Sequence, residues 1–130
     1  INLAIVADLG ALQRLPRLMP AGVVRELALT GRRMMAAEAE SRGFLNRIAV
    51  DADAAVAAGL TLARDIAARS PLAVAGVKAV LNHARDHDVA SGLDYVAAWN
   101  AAMLPGGDVP SALAAQKARQ APIFDDLAPL

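Results

Sequence analysis

The sequence contains no cysteine, which excludes a disulfide framework and thiolate chemistry and fits a reducing compartment. It also lacks an excess of charge of either sign. Thirteen basic residues balance thirteen acidic ones, so there is no electrostatic footprint for nucleic acid and no attraction to an anionic membrane surface. No apolar run approaches the roughly 20 residues that a spanning helix needs; the longest, at the start, is interrupted by Asn2 and closed by Asp8. Internal repeats and low-complexity segments are absent as well. What remains is an alanine-rich chain of 130 residues, 56% hydrophobic, with positive mean hydropathy. That is enough for a core and for one domain at most, and a soluble protein without a membrane or nucleic-acid partner is expected. The first residue is Ile1 and no charged leader precedes it, so the natural beginning of the chain is expected to lie upstream. The ending Ala128-Pro129-Leu130 is not a Ser-Lys-Leu peroxisomal address, which makes a cytoplasmic setting the expectation.

The stretch on which the reading turns is Ile1 to Pro16. It opens almost wholly apolar and then sets one carboxylate, Asp8, against a helix start, with Gly10 allowing close approach of backbone or ligand. A carboxylate walled in by Ile5, Val6 and Leu9 would lose hydration, its pKa would rise, and it could act as a general acid. Equally, Asp8 fits the N-cap of a helix beginning at Leu9, accepting from the amides of Gly10 or Ala11. The two roles are compatible.

Hydrophobic periodicity then predicts a chain of helices. The first covers residues 9–18, with Leu12 and Leu15 inward and Pro16 bending or ending it; the second covers 21–29 and stops at Thr30-Gly31. A two-turn helix over 36–42 places Glu38 near its favourable N-terminal end and Gly43 as the left-handed residue that ends it. Residues 44–50, partly alternating and β-branched towards the end, are the one candidate strand. A lone strand leaves both edges unpaired, so its partners are expected outside these 130 residues or on another subunit. Asp51 or Asp53 caps a long helix to Arg69. Ser70-Pro71 caps and opens the next, which runs to about Asp86, Asp88 caps a helix to Leu104, and Pro105-Gly106-Gly107 precedes a last helix over 109–120.

Two further groups of residues leave alternatives open. His83 and His87 lie four apart, a spacing at which two imidazoles can share a metal, but no third ligand motif accompanies them. A solvated helix end or subunit contact is the preferred account of them, and no metal site is assigned. Tyr95, Trp99 and Met103 share one helix face and suit either ordinary packing or the lining of an apolar pocket.

The run Leu29-Thr30-Gly31-Arg32, then Ala36, Glu38-Ala39 and Gly43-Phe44-Leu45, resembles the segment following the active site in the crotonase superfamily of enoyl-CoA hydratases and isomerases. The Gln13-Arg14-Leu15 helix before it, and Ser70-Pro71 with Lys78 after it, follow the same order. Within that superfamily the segments 7–16, 84–90 and 93–104 are similar to the Δ3,5-Δ2,4-dienoyl-CoA isomerases, and Asp8 stands where typical hydratases carry glycine. The resemblance implies a mainly α chain: the C-terminal helical portion, residues 1–130 as one region, of a crotonase-like α/β fold. Its N-terminal spiral of ββα units and oxyanion-hole amides would lie elsewhere, with one short strand near 44–50.

The resemblance also implies an acyl-CoA thioester as substrate, no separate cofactor, and a homotrimer or dimer of trimers in the intact protein. Asp8 becomes the proton donor at C6 of a 3,5-dienoyl chain. Its companion, a glutamate acting as base at C2, would fall immediately upstream of Ile1, so this piece alone is expected to be inactive. Lys117 and Arg119 resemble the basic C-terminal patch that meets the coenzyme A phosphates in relatives, although Ala118 and Gln120 break up the usual pair; a solvated helix end explains them as well. Two alternatives stand beside the isomerase: an enoyl-CoA hydratase adding water to a 2-enoyl thioester, and a non-catalytic oligomerisation module.

Overall fold

Pro16 decides how the first helix ends. In a computed structural model, which describes residues 1–127, α1 (Ala11–Arg14) gives way at once to a 3-10 turn over Leu15–Arg17. Proline supplies no N–H and its ring obstructs a continuing α-helix, so the helix expected over 9–18 is shorter and changes type. The chain divides into two compact units, Ile1–Ala58 and Gly59–Leu130, with the boundary inside α4 (Ala52–Ala67). The ending Ala128-Pro129-Leu130 lies outside the described residues.

In the first unit, Pro20 leads into α2 (Ala21–Thr30), which Gly31 ends in the left-handed conformation (φ 66°), its N–H bonding back to the Leu27 carbonyl. After an extended link comes α3 (Ala36–Ser41). Its end is a Schellman motif: Gly43 (φ 81°) donates to the Glu40 carbonyl at 3.0 Å and Phe44 to the Ala39 carbonyl at 2.9 Å, as glycine at that place permits. The buried apolar side chains are Met19, Val24 and Ala39, contributed by the link after the 3-10 turn, by α2 and by α3.

The strand expected at 44–50 is not there, and no strand or ββα element occurs among the described residues. The reason lies in where the amides go. Phe44 and Leu45 both donate to the Ala39 carbonyl, and the Ile48 amide donates to Glu40 Oε1 at 3.0 Å. With the amides of Phe44, Leu45 and Ile48 taken by the preceding helix, the segment is held as an irregular link and not in a strand ladder.

The second unit holds the remainder of α4, then α5 (Pro71–Ala84), α6 (Val89–Met103) and α7 (Asp108–Ala118). The caps read from the sequence appear where expected. Asp51 accepts from Ala54 N at 2.7 Å, Ser70 from Ala73 N at 3.1 Å, and Asp88 from Ser91 N at 2.8 Å. Ser70 Oγ also donates to Asp108, tying the start of α5 to the start of α7. Helix α5 packs on α6, with the buried Gly76 against the Trp99 indole, so close that a Cβ at position 76 would meet Trp99 Cε2 at 2.8 Å.

Much apolar surface is left uncovered. Val56, Leu60 and Ile66 along α4 and Val77 and Leu81 along α5 are among the exposed side chains. Exposed apolar side chains gathered on helix faces mark surfaces for interaction with a protein partner, a membrane or a ligand. No described helix is long and apolar enough to cross a membrane.

Candidate active site

Asp8 is carried on the irregular segment that precedes α1, and what fixes it is backbone. The Asp8 carbonyl accepts from Ala11 N at 3.1 Å, closing a turn whose two central residues, Leu9 (φ 53°) and Gly10 (φ 81°), are both left-handed. The residue flanking α1 is Gly10, and it gives no side-chain cap. Asp8 therefore does not cap a helix starting at Leu9, because the turn displaces the helix start to Ala11. The apolar wall expected around the carboxylate is also not built by this chain. Asp8 is exposed, and Ile5, Val6 and Leu9 are 59%, 75% and 90% exposed.

The far end of the same segment is anchored. Asn2 Nδ2 reaches the Gly31 carbonyl at 3.4 Å, and the Asn2 amide occupies the space a Cβ at Gly31 would need, with Oδ1 only 2.5 Å from it. Beyond Gly31, Arg32 binds two carboxylates. Its Nε donates to Glu26 at 2.6 Å, and its two terminal nitrogens donate to the two Glu38 oxygens at 2.9 and 2.7 Å. Hydrogen bonding to Glu38 and then Glu26 raises the Arg32 pKa above its already high value, and Arg32 in turn holds Glu38 below the ordinary carboxylate range. This fork joins α2 to α3 across the link 31–35. Sequence reasoning passed over it, although the signal was present in two glutamates standing six residues to either side of one arginine.

Lys117 and Arg119 belong to the second unit and Asp8 to the first. Lys117 lies in the last turn of α7 and Arg119 follows it, left-handed at φ 55°. Both are exposed, where cations complement the carbonyl-rich end of a helix. A cavity of about 370 Å³ at the start of α7 is lined by Asp108, Asp125 and Asp126 together with Phe124 and Ser111. That lining repels phosphate.

The two histidines stack. The rings of His83 and His87 lie 3.7 Å apart at 7° to one another, and His83 stacks in turn on Tyr95 at 4.5 Å. One ring nitrogen of His87 lies 2.8 Å from the His83 carbonyl, and one of His83 lies 3.2 Å from Ser91 Oγ. Parallel rings at that spacing aim their in-plane nitrogens along separate planes, which is not a chelating arrangement. Tyr95 and Trp99 are tilted against each other with centroids 6.3 Å apart, and Trp99 fills the space over Gly76. Their observed contacts are those of packing between α5 and α6.

Residues 1–104 match the family model for enoyl-CoA hydratase/isomerase. The chain belongs to that family. It is 44% identical over 127 residues to the peroxisomal Δ(3,5)-Δ(2,4)-dienoyl-CoA isomerase of Arabidopsis thaliana, covering 98% of this chain and 46% of that protein. It is 43% identical over 110 residues to the mitochondrial Δ(3,5)-Δ(2,4)-dienoyl-CoA isomerase of Mus musculus, covering 84% of this chain and 34% of that one. Among solved structures, the enoyl-CoA hydratase of Bacillus anthracis superposes with a TM-score of 0.88 at 30% identity, over 95% of this chain and 47% of that one. As a member of the enoyl-CoA hydratase/isomerase family, the chain is closely homologous to dienoyl-CoA isomerases, and it spans less than half the length of the curated relatives it matches.

Proposed function

We propose that the protein to which this chain contributes is a dienoyl-CoA isomerase, converting a 3,5-dienoyl-CoA into its 2,4 isomer. The observation that carries the reading is the 44% identity to a dienoyl-CoA isomerase across 98% of the chain, with an acid at position 8. A base removes a proton from C2 of the thioester, and the resulting enolate needs preorganised donors to be reached at a useful rate. Its charge delocalises over the conjugated chain to C6. Asp8 delivers a proton there, the double bonds move from 3,5 to 2,4, and exchange with solvent returns both carboxyl groups to their starting states. Lys117 and Arg119 are assigned to the coenzyme A phosphates.

This role needs Asp8 enclosed. Ile5 and Val6, exposed in the chain by itself, are the side chains that further polypeptide would cover to close an apolar cleft around the carboxylate. The uncovered faces of α4 and α5 fit the same picture, in which these helices pack on further polypeptide of the intact protein and on neighbouring subunits of a trimer or dimer of trimers.

The decisive experiment is turnover of a 3,5-dienoyl-CoA by the intact gene product and by its Asp8→Asn variant. Loss of diene isomerisation with folding retained is expected, and near-normal turnover of the variant would remove Asp8 from the mechanism. The likeness to solved hydratases supports a second reading, addition of water to a 2-enoyl-CoA. Hydration of that substrate at a rate exceeding diene isomerisation would favour it.

A further inference from the structure

Leu9 occupies a backbone conformation that glycine, asparagine or aspartate adopts far more readily. In the turn closed by Ala11 N and the Asp8 carbonyl, both central residues have positive φ, 53° at Leu9 and 81° at Gly10. Turns of that kind are dominated by residues that tolerate the left-handed region, and a branched apolar side chain there is a true outlier. Packing within the chain gives nothing in return, since Leu9 is 90% exposed. Local strain without local compensation is characteristic of places where geometry serves a site, and the residue next to Leu9 is Asp8.

We infer that Leu9 is a positioning residue: its left-handed backbone fixes the direction in which the Asp8 carboxylate leaves the turn. The Asp8 side chain has little else to hold it. The segment is tied at one end by Asn2 on Gly31 and at the other by the turn itself. Glycine at position 9 would adopt the same φ without strain but would also visit many others, so the turn would persist as one conformer among several. Gly10 already supplies one unrestricted joint, and a second beside the acid would spread the carboxylate over a range of directions. The inference rests on reading Asp8 as the proton donor.

The test uses three variants of the intact gene product, assayed with a 3,5-dienoyl-CoA and unfolded in urea. Leu9→Gly is expected to unfold at the same or a higher urea concentration while kcat falls roughly tenfold and KM stays within about twofold, the pattern of a misplaced group rather than lost binding. Leu9→Asn restores a residue that tolerates the left-handed region and is expected to hold kcat within about threefold. Asp8→Asn reports on the underlying reading. If Asp8→Asn is inactive but Leu9→Gly keeps full kcat, the positioning role is overturned and the acid assignment stands. If both Leu9 variants lose kcat, the leucine side chain and not its backbone is what matters, and the inference is again overturned. Near-normal turnover by Asp8→Asn overturns the acid assignment and the positioning role with it.

Discussion

Replacing Gly76 with alanine sets two effects of known size against each other. In a helix interior alanine is favoured over glycine by about 1 kcal/mol, so an unobstructed site in the middle of α5 would be stabilised. Here the added carbon would meet Trp99 Cε2 at 2.8 Å and the indole nitrogen still closer, and overpacking of that kind costs about 1–3 kcal/mol. The net expectation is a loss of roughly 0–2 kcal/mol. In a Trp99→Ala background the obstruction is gone, and the same substitution should stabilise by about 1 kcal/mol. The change of sign between backgrounds is the test. Urea unfolding followed by far-ultraviolet circular dichroism suits all four proteins, because Trp99 is the sole tryptophan and two of them lack it. Gly76→Ala stabilising equally in both backgrounds would refute the proposed close contact between α5 and α6.

Gly31→Ala should lower the thermal midpoint, costing about 1–2 kcal/mol for the left-handed conformation alone, with a further loss from displacing Asn2; an unchanged midpoint would show that the Asn2 seat is unnecessary. Ser70→Ala removes a cap worth about 1 kcal/mol and leaves Asp108 without its partner, so its urea midpoint should fall by at least the cap's share. For Glu38 the sign follows from the direction of its shift. Arg32 holds the folded carboxyl below the ordinary glutamate value of about 4.3, so the fork's contribution is present above that value and is lost as pH falls through the lower, folded one. The stability gap between wild type and Glu38→Gln should therefore close on acidification, and a gap constant down through the acid range would contradict the fork.

Some of this was legible because it is local. Asp51, Ser70-Pro71 and Asp88 announce helix starts, and Gly31 and Gly43 announce ends, because each satisfies or frees backbone groups within four residues of itself. The segment 44–50 misled because its alternation is real, while its amides are claimed by Ala39 and Glu40 on the preceding helix. Periodicity cannot register such a claim. At the candidate site the aspartate and its family context were readable. The turn that moves the helix start from Leu9 to Ala11 was not, since a leucine gives no sign of adopting positive φ.

The amino-acid order by itself determined the helix starts at Asp51, Ser70 and Asp88 and the ends at Gly31 and Gly43, the family, and the identity of the one acid on which the proposed chemistry turns. Each depends on side chains acting on neighbours a few positions away, or on residue types at fixed intervals. Tertiary structure alone decided that Asn2 sits on Gly31, that Arg32 grips Glu26 and Glu38, that His83 stacks between His87 and Tyr95, and that Trp99 presses on Gly76. It also decided that the apolar residues around Asp8 stay open in this chain. Enclosure depends on what lies across from a side chain in space, and that is set by packing between segments and not by the order of residues within one.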